Sequence, residues 1–248
     1  MRKTVIATLL LTTALFAQSI NIAVAANVSY ALDELKTEFK KIYPDLHVRS
    51  TIGGSGKLTA QIKNGAPYGL FMSANMLYPE NLYQNKIAIT KPVIYAQGAL
   101  AYLSVKKYDL SKGTELLKDK KIKTIAIANP KTAPYGKATV EAFKNAGIYD
   151  SIKSKFVYGE SISQTLSYVL HAADIGIIAK SSLYSPKMKH FKKGVNYMDV
   201  DAKLYTPISQ GIVLLKQSKN SKAYRAFYNF ILSQEAKRIF KKYGYITR

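Results

Sequence analysis

The run Gly53-Gly54-Ser55-Gly56-Lys57 carries the residue types of a phosphate loop. The nucleotide-binding loop needs a first glycine four residues ahead of its Gly-Lys pair, and a hydroxyl after the lysine to hold Mg²⁺. Thr51 and Leu58 stand at those positions, so an NTPase is excluded. The hydrolase elbow G-x-S-x-G fails as well, because Lys57 occupies its last glycine. What survives is a glycine turn after a strand. Its backbone N–H groups and the dipole of the following helix suit an anion, with the Ser55 hydroxyl as a further donor. An ordinary helix cap by Ser55 accounts for the same residues equally well.

Three more strand-to-helix junctions have this character. Ala25-Ala26-Asn27 follows the first apolar strand, Pro134-Tyr135-Gly136 opens a helix in the second half, and Glu160-Ser161-Ile162-Ser163 opens another. A helix start leaves its first N–H groups without partners. In a doubly wound sheet, strand ends and the helix starts that follow them share one edge. Four starts, two from each half of the chain, can surround a small anion with neutral donors.

Catalysis finds little to work with. Zero Cys excludes disulfides, thiolate metal sites, a cysteine nucleophile and a lipid-bearing cysteine. His47 lies in a strand pattern, His171 at a helix end and His190 in the basic loop Lys187 to Lys193. None has an Asp, Ser or metal-ligand neighbour in sequence. Asp33, Glu34, Glu38 and Glu141 read as solvated helix residues, and Glu160 as a cap or loop anchor. No enzyme is expected.

The elements that must position these starts follow a β–α–β–α–β rhythm. Strands are predicted at 20–26, 46–52 and 68–73, a helix from Asn27 to about Ile42, and another from Lys57 to Asn64. The rhythm recurs with strands at 122–128, 156–158 and 175–179 and helices at 135–145 and 161–170. A late strand at 208–215 and a long amphipathic helix or helix pair at 221–243 close the chain. This pattern implies an α/β protein of two lobes, each a mostly parallel sheet flanked by helices, with the site in the cleft between them. Lobe one takes 20–96 and 209–248, and lobe two takes 97–208. Gln97-Gly98 and Tyr205-Thr206-Pro207 are the hinge candidates.

Met1-Arg2-Lys3 and the apolar run Thr4 to Ala17 match a secretory signal, and the run is too short to span a bilayer. Small residues allow cleavage after Ser19, giving a signal peptide over 1–19, or after Ala17. The mature chain is therefore expected outside the cytoplasm. The 37 Lys and Arg against 15 Asp and Glu give a net charge of +22, which first suggests nucleic acid. Export and the dispersal of the lysines argue against that, since no run reaches the five or six like charges of a basic arm.

Several stretches resemble the molybdate-binding proteins of bacterial ABC importers. They are Ala25-Ala26-Asn27, Gly54-Ser55-Gly56-Lys57-Leu58, Gln61 to Pro67, Leu70 to Ala74, Asn129-Pro130, Ala133-Pro134-Tyr135-Gly136 and Phe240 to Tyr245. They run in order over nearly all of the chain after the signal. The resemblance implies a periplasmic two-lobed protein of type II that closes on molybdate or tungstate and passes it to a membrane permease. It implies no cofactor; the metal enters within the oxyanion. It also implies a monomer and no nucleic-acid partner.

By motif, the resemblance assigns the oxyanion contacts to Ala26 and Asn27, Ser55 and Gly56, Tyr135, and Ile162. Some relatives carry a contacting Tyr where Ala179 stands here, and Tyr135 offers a phenol in its place. The chemistry agrees. A proton-free dianion is held by donors alone, whereas a protonated oxyanion leaves an O–H facing N–H dipoles. Sulfate or thiosulfate on the same fold is the alternative.

Overall fold

The computed structural model describes residues 18–247. The expected signal peptide falls mostly outside these residues. Strand β1 (Gln18–Ala25) leads through a single 3₁₀ turn at Ala26–Val28 into α1 (Ser29–Ile42). Then follow β2 (Leu46–Gly53), α2 (Ser55–Lys63), β3 (Leu70–Met72) and α3 (Leu77–Gln84). The chain crosses over through β4 (Val93–Gly98) and β5 (Leu100–Leu103). The second half holds β6 (Ile125–Ala128), α4 (Pro134–Asn145), the short α5 (Tyr149–Ile152), β7 (Phe156–Gly159), α6 (Ile162–His171), β8 (Ile175–Ala179) and β9 (Tyr197–Asp199). It returns through β10 (Ile208–Leu214) to α7 (Lys222–Ile231) and α8 (Gln234–Lys242).

Two five-stranded sheets result, ordered β2-β1-β3-β10-β4 and β7-β6-β8-β5-β9. Each has two parallel pairings followed by two antiparallel ones. Four strands of each sheet thus run in one direction and a single strand runs against them, so the sheets are mostly parallel with one reversed strand each. Strands β10 and β5 are the crossover strands, and each enters its sheet against the direction of the three βαβ strands. The repeat in topology has no counterpart as a tandem repeat in sequence.

Both faces of each sheet are covered, which is why the strands read as continuous apolar runs. Ile20, Ile22 and Val24 of β1 face the cluster of α1, α7 and α8, while Ala23 faces Leu58 and Ile62 of α2. In the second lobe, Ile125 and Ile127 face Phe143 of α4, while Ala126 faces Leu166 and Val169 of α6. The tail resolves into two helices. Ser233 breaks them by accepting from the Ala236 N–H as a cap, and Phe227 stands edge-on to Phe39 at 5.0 Å between centroids.

Several boundaries move. β1 starts at Gln18, whose N–H donates to the Asp45 carbonyl at 3.1 Å, so cleavage after Ser19 cuts into a paired strand. Helix α2 starts at Ser55 rather than Lys57, because Gly54 takes the cap position. Elements α3, β4, β5 and β9 carry no strong signal of their own in the sequence, being short or broken by Pro79 and Gly98.

Candidate oxyanion site

The ends of β1, β2, β6 and β7 meet where the two lobes face each other, and the helix start after each end points into the same small cavity. Between walls from both lobes it leaves only about 10 Å³ for the centre of a water-sized sphere. That is below the roughly 300–1,000 Å³ of pockets for drug-sized ligands. Ala26, Asn27 and Ser55 line it from the first lobe, and Pro134, Tyr135 and Ile162 from the second. Asn27 is the second residue of its 3₁₀ turn, Ser55 the first of α2, Tyr135 the second of α4 and Ile162 the first of α6. At those positions a backbone N–H has no intrahelical acceptor. Each lining residue is uncharged, and Glu160 lies outside the lining.

Ser55 does not cap its helix. Its Oγ accepts from the Ala74 N–H at 3.0 Å, which leaves the hydroxyl proton for another acceptor. Burial of Ser55 makes an unused proton costly, so the position is built for a partner. Ser161 is a true cap, accepting from the Gln164 N–H. The Ile162 N–H, the first of α6, takes no part in that cap and stays unpaired. Gly136 lets α4 start directly on β6, since a Cβ there would stand 2.0 Å from the Ala128 carbonyl oxygen.

Two expectations change. Gly56 is not part of the cavity lining, and its N–H donates to the Thr132 carbonyl of the opposite lobe at 2.9 Å. It closes the seam instead of facing the anion. Tyr135 lines the cavity, yet its hydroxyl accepts from Gln210 Nε2 at 3.3 Å and packs on Gly98. Its phenol is thus engaged behind the wall, and its backbone N–H is the group suited to an anion. Ala26, Asn27, Ser55 and Ile162 lie together as the spacing suggests.

The lobes are in contact. Ser163 donates to the Ala26 carbonyl and Ser181 to the Asn27 carbonyl, each at 3.1 Å. The two crossovers are tied by the Leu100 N–H, which donates to the Tyr205 hydroxyl at 3.0 Å. Glu141 is not merely solvated, because it accepts from the Thr206 N–H at 2.9 Å and from the Thr206 hydroxyl at 2.6 Å.

Sequence reasoning missed the layer behind the wall. Asn27 Nδ2 donates to Gln210 Oε1 at 2.8 Å and to the Tyr245 hydroxyl at 3.0 Å. Tyr95 also donates to Gln210 Oε1, at 2.8 Å. Burial pushes the phenols of Tyr95, Tyr135 and Tyr245 well above their ordinary range, so they stay neutral beside an anion. A buried polar residue inside the apolar strand Ile208–Leu214 was the available signal for Gln210. His171 Nδ1 lies 2.8 Å from the Ser167 carbonyl, in keeping with a helix-end role.

A closed cleft between two α/β lobes, lined by helix N-termini, defines a two-lobed solute-binding protein. The sequence model described as bacterial extracellular solute-binding protein matches residues 20–246. The chain is 33% identical to the molybdate-binding protein ModA of Azotobacter vinelandii, over 95% of this chain and 93% of that one. It is 34% identical to ModA of Rhodobacter capsulatus, over 91% and 87%. The solved periplasmic molybdate-binding protein of Azotobacter vinelandii superposes with a TM-score of 0.83 at 29% identity, covering 92% of this chain and 99% of that chain. The chain belongs to the ModA family of bacterial extracellular solute-binding proteins. The sulfate-binding protein SubI of Mycobacterium tuberculosis, at 12% identity and a TM-score of 0.76, shares the fold.

Proposed function

We propose that this protein captures molybdate or tungstate outside the cytoplasm and delivers it to the membrane permease of an ABC importer. The observation that carries this reading is the donor set. Four helix starts and the unspent Ser55 proton converge on one small cavity, and no carboxylate lines it. A tetrahedral dianion accepts from every side and donates nothing. Charge-assisted hydrogen bonds to it contribute about 1.5–3 kcal/mol each. Hydrogen phosphate needs an acceptor for its proton, and the wall of N–H dipoles offers none of the strong carboxylate kind. The relatives named above are molybdate-binding proteins, which supports the choice of anion.

Both walls come from one chain, so a single copy suffices and the protein works as a monomer. Its signal peptide is removed after Ala17, which leaves β1 whole. Without the signal's two cations, the net charge of +22 becomes about +20. That charge raises the local anion concentration and speeds capture, but the neutral donors select the anion.

A thermal-shift panel tests the assignment. Molybdate and tungstate at about 100-fold excess over Kd stabilise the protein by about 2.7 kcal/mol, while equal concentrations of phosphate leave the midpoint unchanged. Stabilisation by phosphate and none by molybdate would overturn it.

A further inference from the structure

Behind the cavity, Asn27, Gln210, Tyr95, Tyr135 and Tyr245 form one buried hydrogen-bonded group. Gln210 sits on β10 where the pairing with β4 shifts register, and it is fully buried. It reaches both walls, holding Asn27 of the first lobe through Oε1 and Tyr135 of the second through Nε2.

The proton count of this group is incomplete. Both Asn27 amide hydrogens are used, one by Gln210 Oε1 and one by the Tyr245 hydroxyl. Asn27 Oδ1 is buried and has no partner among the described residues. The Tyr135 hydroxyl accepts from Gln210, and its own proton meets no acceptor among them. An unpaired acceptor on a residue that lines the cavity suits a proton donor, not a dianion.

Turning both amides over repairs the count, because amide oxygen and nitrogen exchange places with little change in shape. Gln210 Nε2 then donates to Asn27 Oδ1 and to the Tyr95 hydroxyl. Tyr95 keeps the Ser73 carbonyl as its acceptor, already at 3.2 Å. The Tyr135 hydroxyl donates to Gln210 Oε1. Tyr245 keeps donating to an Asn27 oxygen, and its bond to the main-chain carbonyl is 2.8 Å. Asn27 Nδ2 is released with both hydrogens where Oδ1 had been. We propose that Gln210 is the positioning residue that sets whether Asn27 offers an acceptor or a donor to the cavity, and that oxyanion binding selects the turned pair.

This inference rests on the oxyanion reading, and the test separates the two. Molybdate affinity is measured for the wild type, Q210E, N27A and the double variant. The carboxylate of Q210E can only accept, so Asn27 must keep donating to it. Q210E should weaken binding about 10- to 100-fold, the worth of one charge-assisted bond. In the N27A background it should cost less than about threefold, because Gln210 acts through Asn27. Unchanged affinity of Q210E, or losses that multiply independently, would overturn the proposal while leaving the oxyanion reading intact. A wild type that binds no molybdate would overturn both. Should Q210E not fold, side-chain amide NMR of the wild type decides. The Asn27 and Gln210 NH₂ pairs should shift together on adding molybdate, and an unmoved Gln210 pair would overturn the proposal.

Discussion

The Gly56 N–H donates to the Thr132 carbonyl at 2.9 Å and so joins the first turn of α2 to the loop before α4 across the cleft. There is no room at this seam for a side chain. A Cβ on Gly56 would stand 2.8 Å from the Tyr78 hydroxyl and 2.9 Å from the Thr132 oxygen. Gly54 is nearly as tight, at 2.9 Å from the Glu160 carbonyl. Gly56→Ala should therefore hold the lobes apart and weaken molybdate binding by about 1–3 kcal/mol, the usual cost of overpacking. Small-angle scattering with saturating molybdate should give a larger radius of gyration than for the wild type. Equal radius and equal affinity would refute the seam.

Ser55 offers a proton that its own helix does not use. Ser55→Ala removes that donor and leaves the Ala74 N–H without its acceptor. Affinity for molybdate should fall by about 1.5–3 kcal/mol, read as a Kd ratio by calorimetry. An unchanged Kd would remove Ser55 from the site.

The Ile162 contribution is a backbone N–H, so its side chain should matter little to binding. Ile162→Val should keep affinity within about threefold. Ile162→Pro is the sharper variant. Proline is tolerated at the first position of a helix, and Ser161 before it already has an extended backbone, with φ −142° and ψ 164°. The substitution deletes the N–H without breaking α6. Binding should weaken by about 1.5–3 kcal/mol while helical circular dichroism stays constant. Full affinity for the proline variant would show that this N–H does not touch the anion.

Asp174 anchors the second sheet. Its carboxylate accepts from the Lys123 N–H at 2.7 Å, the Thr124 N–H at 2.9 Å, the Thr124 hydroxyl and Lys106. Burial alone raises its pKa, but these bonds together outweigh it and hold the group at about 2. A depressed folded pKa stabilises above the unfolded value near 3.9, and that stability is lost as pH falls from about 4 through 2. Asp174→Ala should cost about 1–3 kcal/mol at pH 7 by leaving the donors unpaired. In denaturant titrations the gap to wild type should shrink toward pH 2. A gap constant from pH 7 to 2 would contradict this role.

The four helix starts were legible because each is punctuated locally. A glycine, proline or serine follows an apolar strand at each of Gly54-Ser55, Pro134-Tyr135 and Ser161-Ile162, and Asn27 follows two alanines. The one reversed strand in each otherwise parallel sheet was not legible, because the directions of β5 and β10 depend on where the chain crosses between lobes. The placement of the Tyr135 phenol was not legible either. It is decided by Gln210, 75 residues away in sequence, and by the missing Cβ of Gly98. Likewise Gly56 shares its motif with Ser55, but its N–H is spent on Thr132 once the lobes close. Local spacing marks where donors are made, and tertiary contacts decide which of them stay free.

A neutral, donor-lined cavity should select a proton-free tetrahedral oxyanion over one that carries a proton. Titration calorimetry of the mature protein with molybdate, repeated in a large excess of phosphate, tests it most directly. One molybdate should bind per chain, with a comparable signal for tungstate and a Kd that phosphate does not shift. Heat with phosphate but none with molybdate, or full displacement of molybdate by phosphate, would contradict it.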